Sequence, residues 1–284
     1  MTFRTLEKVA PPAAVRLAER LWCTVPRGPV RPFDVPGERF VVPVDGRSVV
    51  VESWGEGPIV YLLHGWGGWR GQFAAFRQPL LDAGFRVVAL DAPSHGDSDA
   101  GSFGRGRGLL PEFTVALTRV VEAVGPAHAV VGHSLGGAAA AIAVLDGLRT
   151  RHLVLVAAMA DAIPYTRDYA ATFGFSERTR VAFLSRLELR VKRRMTDFDV
   201  PVRARAAVSP LPPALLVHDL RDKEVRHSDA ETLVAAWPGA ELRSTEGLGH
   251  RRILRDPGVV AEVVAHLVGT PAARPEQALE DVNA

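Results

Sequence analysis

Five short runs of the chain, 59–63, 87–91, 129–132, 153–157 and 214–218, are apolar almost without interruption, and a weaker one follows at 241–244. Half-exposed strands alternate apolar and polar positions, whereas unbroken runs of this length belong to strands covered on both faces, as in a parallel sheet. Upstream, 39–44 and 48–54 are rich in valine and flank Asp45-Gly46, a pair suited to a tight antiparallel turn, so an opening hairpin is predicted.

Between these runs the apolar spacing lengthens to three and four. Residues 72–83 predict a helix stopped by Gly84, and Asp256-Pro257 opens another that carries Val259, Val260, Val263, Val264 and Leu267 and ends at Gly269. Repeated β-then-α units place the chain in the α/β class, a mostly parallel sheet with helices on both faces. Residues 161–209 break the alternation: no strand pattern appears, but Val181, Leu184, Leu187, Val191 and Met195 recur at helical spacing within 176–195. An insertion between two strands of such a sheet is expected to cover the site. Residues 1–36 predict one short amphipathic helix, marked by Val15, Leu17, Ala18, Leu21 and Trp22, and then a Pro-rich run at 25–32 that is neither helix nor central strand; the helix is expected to dock on the main body. The tail 270–284, rich in Pro, Ala and Glu without apolar periodicity, is expected to be disordered. The domain reading is therefore 1–36 as an N-terminal helix and Pro-rich segment, 37–160 with 210–269 as the core, 161–209 as a helical insertion, and 270–284 as a tail.

With 284 residues, 47% of them hydrophobic, the chain can bury a large core. Its 34 basic and 32 acidic residues leave +2, too weak a field to hold a nucleic acid. The longest apolar runs, such as 138–145, fall short of the ~20 residues needed to span a bilayer, so no stable membrane insertion is expected. The N-terminal residues lack the apolar stretch of a secretory signal, and a cytoplasmic location is expected. The one cysteine, Cys23, forms no intrachain disulfide and reads as a small buried apolar group. Gly104-Arg-Gly-Arg-Gly108 lacks the Lys-Ser/Thr of a phosphate loop and reads as a flexible surface loop, while the absence of a His-Glu-x-x-His or Cys/His cluster predicts no metal site.

Gly132-His133-Ser134-Leu135-Gly136 lies directly between an apolar run and an Ala-rich helical stretch. A serine on such a strand–turn–helix elbow exposes its hydroxyl on a strained turn, the small residues let the segments approach, and the helix amino terminus favours developing negative charge. The competing reading is a Gly-rich turn whose serine only caps the helix. A hydroxyl is a weak nucleophile and needs a base oriented by a third group. Asp219 and Asp222 follow the run at 214–218, and His250 follows the run at 241–244, so all fall at the strand edge where Ser134 emerges. His250 is the candidate general base and Asp222 the candidate acid, with Asp219 as its closest rival and Asp161 a distant one. In Leu63-His64-Gly65-Trp66-Gly67-Gly68, the N–H of Trp66 is a candidate oxyanion donor together with that of Leu135. His64 is expected to brace this turn, His133 to point away from the serine, and His95 to lie near the pocket mouth. The cations 190–194 read as a solvated helix C-terminus. The aromatics Tyr165, Tyr169, Phe173, Phe175, Phe183 and Phe198 suit an apolar acyl or alkyl group if they stand over the serine.

Taken in order, HGWGG, DAPSHGDS, GHSLGG, HDLRD and GLGH make the chain resemble the α/β-hydrolase superfamily, serine-nucleophile branch, over 38–269. The resemblance implies an eight-stranded sheet, a helical cap at 161–209, and metal-independent, cofactor-free hydrolysis of acyl groups. Asp219 departs from the pattern, because relatives often have glycine there. The expected activity is that of a carboxylesterase on small to medium apolar esters, a small-molecule partner. Lactonase, thioesterase, carbon–carbon bond hydrolase and perhydrolase chemistry would use the same residues. Serine at the elbow disfavours reactions that need a carboxylate nucleophile. A non-catalytic ligand-binding relative and a membrane-surface lipase are the rival classes.

Overall fold

A computed structural model describes residues 2–26, 28 and 33–269. Its eight strands are β1 (Glu38–Val44), β2 (Arg47–Trp54), β3 (Ile59–Leu63), β4 (Arg86–Leu90), β5 (Ala127–His133), β6 (Thr150–Val156), β7 (Ala214–Asp219) and β8 (Ala240–Thr245), in the sheet order β1-β2-β4-β3-β5-β6-β7-β8. Only β2 runs antiparallel to its neighbours; the rest of the sheet is parallel, and every predicted run and the opening hairpin are strands. The helices are α1 (Phe3–Val9), α2 (Pro11–Trp22), α3 (Ala74–Asp82), α4 (Leu110–Val124), α5 (Leu135–Leu145), α6 (Ala162–Phe173), α7 (Glu177–Val191), α8 (Val200–Arg205), α9 (His227–Ala236), α10 (Gly249–Arg252) and α11 (Pro257–Val268).

Residue parity explains the unbroken apolar runs. Tyr61, Leu63, Val88, Leu90, Val130 and Leu155 share one core with α4, α5, α8 and α9, while Val60, Leu62, Val87, Ala89, Val131 and Val154 share another with α3 and α11. Successive side chains point to opposite faces, both faces are covered, and each large aliphatic group so buried contributes about 1.5–3 kcal/mol. The predicted helix ends hold at 256, where the Asp256 carboxylate accepts from Val259 N–H at 3.0 Å. The helix predicted over 72–83 begins instead as a 3-10 turn at Arg70–Phe73, and the chain leaves α3 through Gly84 at φ +82.

A third core lies apart from the sheet. Ala18 and Cys23 pack there with Ala170, Phe175, Phe183, Leu184 and Leu187, joined by Phe3, Trp22 and Tyr169. Four sequence expectations change in this region. The N-terminal segment holds two helices, because Pro11 lacks the N–H to continue α1. It also docks on α7 of the insertion, and the apolar stripe of α2 could announce burial without naming the surface that buries it. The cations 190–194 are not simply solvated either: Arg190 pairs with the buried Glu19 and lies over the Phe103 ring, and Arg193 pairs with Asp146 at 2.9 Å. The Gly104–Gly108 loop is fastened rather than free, since Val25 N–H donates to Gly106 O and Gly108 N–H to Cys23 O, both at 2.9 Å. Cys23 is buried as expected, and burial pushes its thiol up to about 12. The expected disorder of 270–284 and most of the Pro-rich run lie outside the described residues. No helix among the described residues is long and apolar enough to cross a membrane.

Candidate active site

The turn after β5 is the strained feature that the sequence predicts. Ser134 adopts φ 54 and ψ −121, a conformation that costs a non-glycine residue about 1–3 kcal/mol. It is held by Ser134 N–H donating to Val156 O at 2.9 Å and by the Ser134 carbonyl accepting from Gly137 and Ala138 N–H. Its side chain makes no capping bond to α5, which removes the reading of a serine that merely caps a helix. Small residues are required here: a Cβ on Gly136 would sit 2.2 Å from His64 O, and one on Gly132 would sit 2.6 Å from Gly136 O.

His250 lies on α10, just beyond β8, and its Nδ1–H donates to Asp222 Oδ2 at 2.7 Å. That bond fixes the tautomer and leaves Nε2 as the acceptor. The other Asp222 oxygen accepts from the N–H groups of Glu224 and Val225, at 2.8 and 3.0 Å. Burial works against the Asp222 charge, yet hydrogen bonds from His218, His250 and Val225 hold its carboxyl well below the usual range. Asp219 is spent elsewhere, with Oδ1 accepting from Arg221 N–H and Oδ2 from Thr245 Oγ1 and Leu248 N–H at 2.8–2.9 Å, tying the loop after β7 to the one after β8. Asp161 caps α6 through Ile163 N–H. Of the three acids weighed, only Asp222 is paired with His250.

The turn after β3 brings Trp66 to the same cavity as Ser134, Leu135 and His250. Leu135 opens α5, where the first N–H groups have no helical carbonyl to bond. His64 braces the turn as expected: Nδ1–H donates to Gly65 O at 2.7 Å, Nε2 accepts from Ala92 N–H at 3.0 Å, and burial pushes its pKa down to about 4. His95 is buried against Trp66 and Phe113 and lines a second cavity, so the expected place at the pocket mouth is not where it lies. Among the described residues no group of three or more His, Cys, Asp or Glu is arranged to hold a metal ion.

The cavity containing Ser134 and His250 has a volume of about 760 Å³. Tyr165, Tyr169, Phe173 and Phe198 line it, whereas Phe175 and Phe183 are committed to the third core. The sequence reading missed three contributors. His133, expected to point away from the serine, is among the residues that line the cavity, and its Nε2–H donates to the His250 carbonyl at 2.8 Å while burial holds its pKa down at about 3. A polar side chain closing a fully buried strand must find a partner, and that was the available signal. Glu224 places Oε2 4.0 Å from His250 Nε2. Leu21, Trp22, Thr24 and Pro26 also line the cavity, from a segment with no motif to mark it.

Fold and site together describe an α/β protein with a serine-bearing elbow and an aspartate–histidine pair at the carboxyl edge of its sheet. The profile of the Alpha/beta hydrolase family matches residues 60–263, and the chain belongs to that family. It is 33% identical over 144 residues to a pimeloyl-[acyl-carrier protein] methyl ester esterase of Nitrosospira multiformis, covering 49% of this chain and 52% of that one. It is 33% identical over 123 residues to a non-heme chloroperoxidase of Streptomyces lividans, covering 40% and 42%. The matches therefore span about half the length of these curated relatives, or less. An esterase from Exiguobacterium antarcticum shares the fold at a TM-score of 0.61 and 20% identity, over 82% of this chain and 100% of that one.

Proposed function

We propose that the protein is a serine hydrolase, a carboxylesterase acting on small to medium apolar esters. The observation that carries this reading is the Asp222–His250 hydrogen bond at 2.7 Å, which leaves Nε2 free in a cavity also lined by the uncapped Ser134. In this mechanism Ser134 Oγ attacks the acyl carbon as His250 Nε2 takes its proton. Asp222 orients the ring and stabilises the imidazolium, while the oxyanion rests on the Trp66 and Leu135 N–H groups. His250 then protonates the leaving alcohol and activates the water that releases the acid. The aromatic lining favours an apolar acyl group, with α6 and α7 serving as the cap over it.

The test is a rate series on p-nitrophenyl esters from acetate to laurate, with Ser134→Ala measured beside the wild type. Turnover by the wild type alone, with an optimum along the series, is expected. A rate that survives in Ser134→Ala removes the nucleophile assignment. Silence in both, with no labelling of Ser134 by a fluorophosphonate, moves the chain to the ligand-binding class; silence with labelling indicates one of the other acyl-transfer chemistries of the same residues.

A further inference from the structure

Among the described residues, the segment before β1 makes no contribution to the sheet, yet it is fastened at several points around the cavity. Glu19, with its carboxylate buried, takes ion pairs from Arg186 and Arg190 of α7. Tyr169 of α6 donates its hydroxyl hydrogen to Ala18 O at 2.9 Å. Trp22 stands edge-on to the Tyr169 ring at 5.2 Å and lies 6.2 Å from Phe183. Beyond α2, Thr24 bridges to Arg107 and Val25 bonds Gly106, after which Pro26 crosses Gly67 of the turn that follows β3. A Cβ on Gly67 would meet the Pro26 ring at 3.3 Å, so that turn and this segment are in contact. The path runs from the insertion to the candidate oxyanion turn, and along it Leu21, Trp22 and Pro26 face the cavity.

We propose that residues 11–26 form a fixed wall of the substrate cavity, in which Trp22, braced by Tyr169, sets the length of the apolar acyl group that is accepted. The inference rests on the esterase reading for its substrate, and on the lining residues for its location. An indole held edge-on by one ring and backed by Phe183 has little freedom to yield to a longer chain. Its replacement by a methyl group adds volume to the cavity between α2 and α7, where Leu187 and Val191 continue the apolar lining.

The same ester series, run on Trp22→Ala and Leu21→Phe, tests the wall. For Trp22→Ala the optimum is expected to move to longer acyl chains. The kcat/KM for the ester one methylene beyond the wild-type optimum should rise relative to the optimum roughly tenfold, the discrimination an apolar pocket exercises over one methylene. Leu21→Phe, which narrows the cavity, should move the optimum the other way. Leu17→Ala, on α2 but outside the cavity, should keep the wild-type profile. Circular dichroism identifies any variant that fails to fold, and the remaining one carries the test. An unchanged optimum in every folded wall variant overturns the proposal. Should the wild type hydrolyse no ester, the esterase reading fails separately. Calorimetric affinities for saturated fatty acids then read the wall directly, supporting it if the preferred length shifts in Trp22→Ala and overturning it if not.

Discussion

The sheet and the helical assembly of α1, α2, α6 and α7 bury their apolar groups in different ways. Around the sheet the core is mostly aliphatic, with strands covered from both faces. In the helical assembly aromatic rings make up a larger share of it, and a carboxylate, Glu19, is buried among half-exposed arginines. The first arrangement tolerates strain, and the Ser134 turn and the carbonyl crowding around Gly136 sit upon it. The second makes a shape, since the walls it lends to the cavity depend on ring contacts and on ion pairs whose partners remain partly wet. On the proposed reading, the chemistry stands on the sheet and the choice of acyl length on the helical assembly.

Asp222→Asn should produce the largest effect on the sheet side, a fall in kcat of about 10⁴-fold from loss of the correct histidine tautomer. Asp219→Asn should instead lower the unfolding free energy by roughly 2 kcal/mol through its loop bonds, with a much smaller change in kcat. A larger kcat loss for Asp219→Asn would exchange the two roles. Acid should then separate the regions. His64, His95 and His133 have pKa values lowered to about 4, 3 and 3, first of all by burial, whereas α1, α2, α6 and α7 contain no histidine. The unfolded chain takes up their protons near pH 6.5 and the folded one does not. The stability these neutral rings contribute is therefore complete above about pH 6.5 and is lost as pH falls toward their folded values, by up to about 1.4 kcal/mol per pH unit for each ring. Urea unfolding at pH 7 and pH 5 should show the decline, and His95→Gln should flatten it. Equal slopes in wild type and variant would remove His95 from the account.

Gly136→Ala forces a methyl group against His64 O and should destabilise by roughly 1–3 kcal/mol, read as a lower urea midpoint. The smallest effect is expected from Glu19→Gln, about 1 kcal/mol, because the arginines it releases are already partly solvated. Its signature is faster proteolysis within α2 at an unchanged unfolding midpoint for the sheet. A joint loss of both would show that the two regions open as one.

The strands were legible because a two-sided environment writes itself as an unbroken apolar run, and the elbow because its glycines have no substitute at such close approach. Asp222 was favoured over Asp219 from the sequence, but nothing in the spacing excluded the rival. Both follow the same strand, and the answer depends on which carboxylate meets a histidine 28 positions away. The docking of α2 was hidden for a similar reason: amphipathic spacing declares that a face is buried but leaves its partner unstated. Arg190 read as a dipole-complementing cation because Glu19, its partner, stands 171 positions earlier. Short α1 carries no residue that is fully buried, hence no stripe to detect.

The bond from Tyr169 to Ala18 joins residues 151 positions apart. During synthesis at about 5–20 residues per second, roughly 8–30 s separate the two ends of that contact. Through that interval α2 is finished but its partners on α6 and α7 are not, so Leu21 and Trp22 lack that cover while β1 to β6 are made. The helix that precedes β1 is housed only after β6 has been made, and for that time a holding chaperone would find Trp22 uncovered.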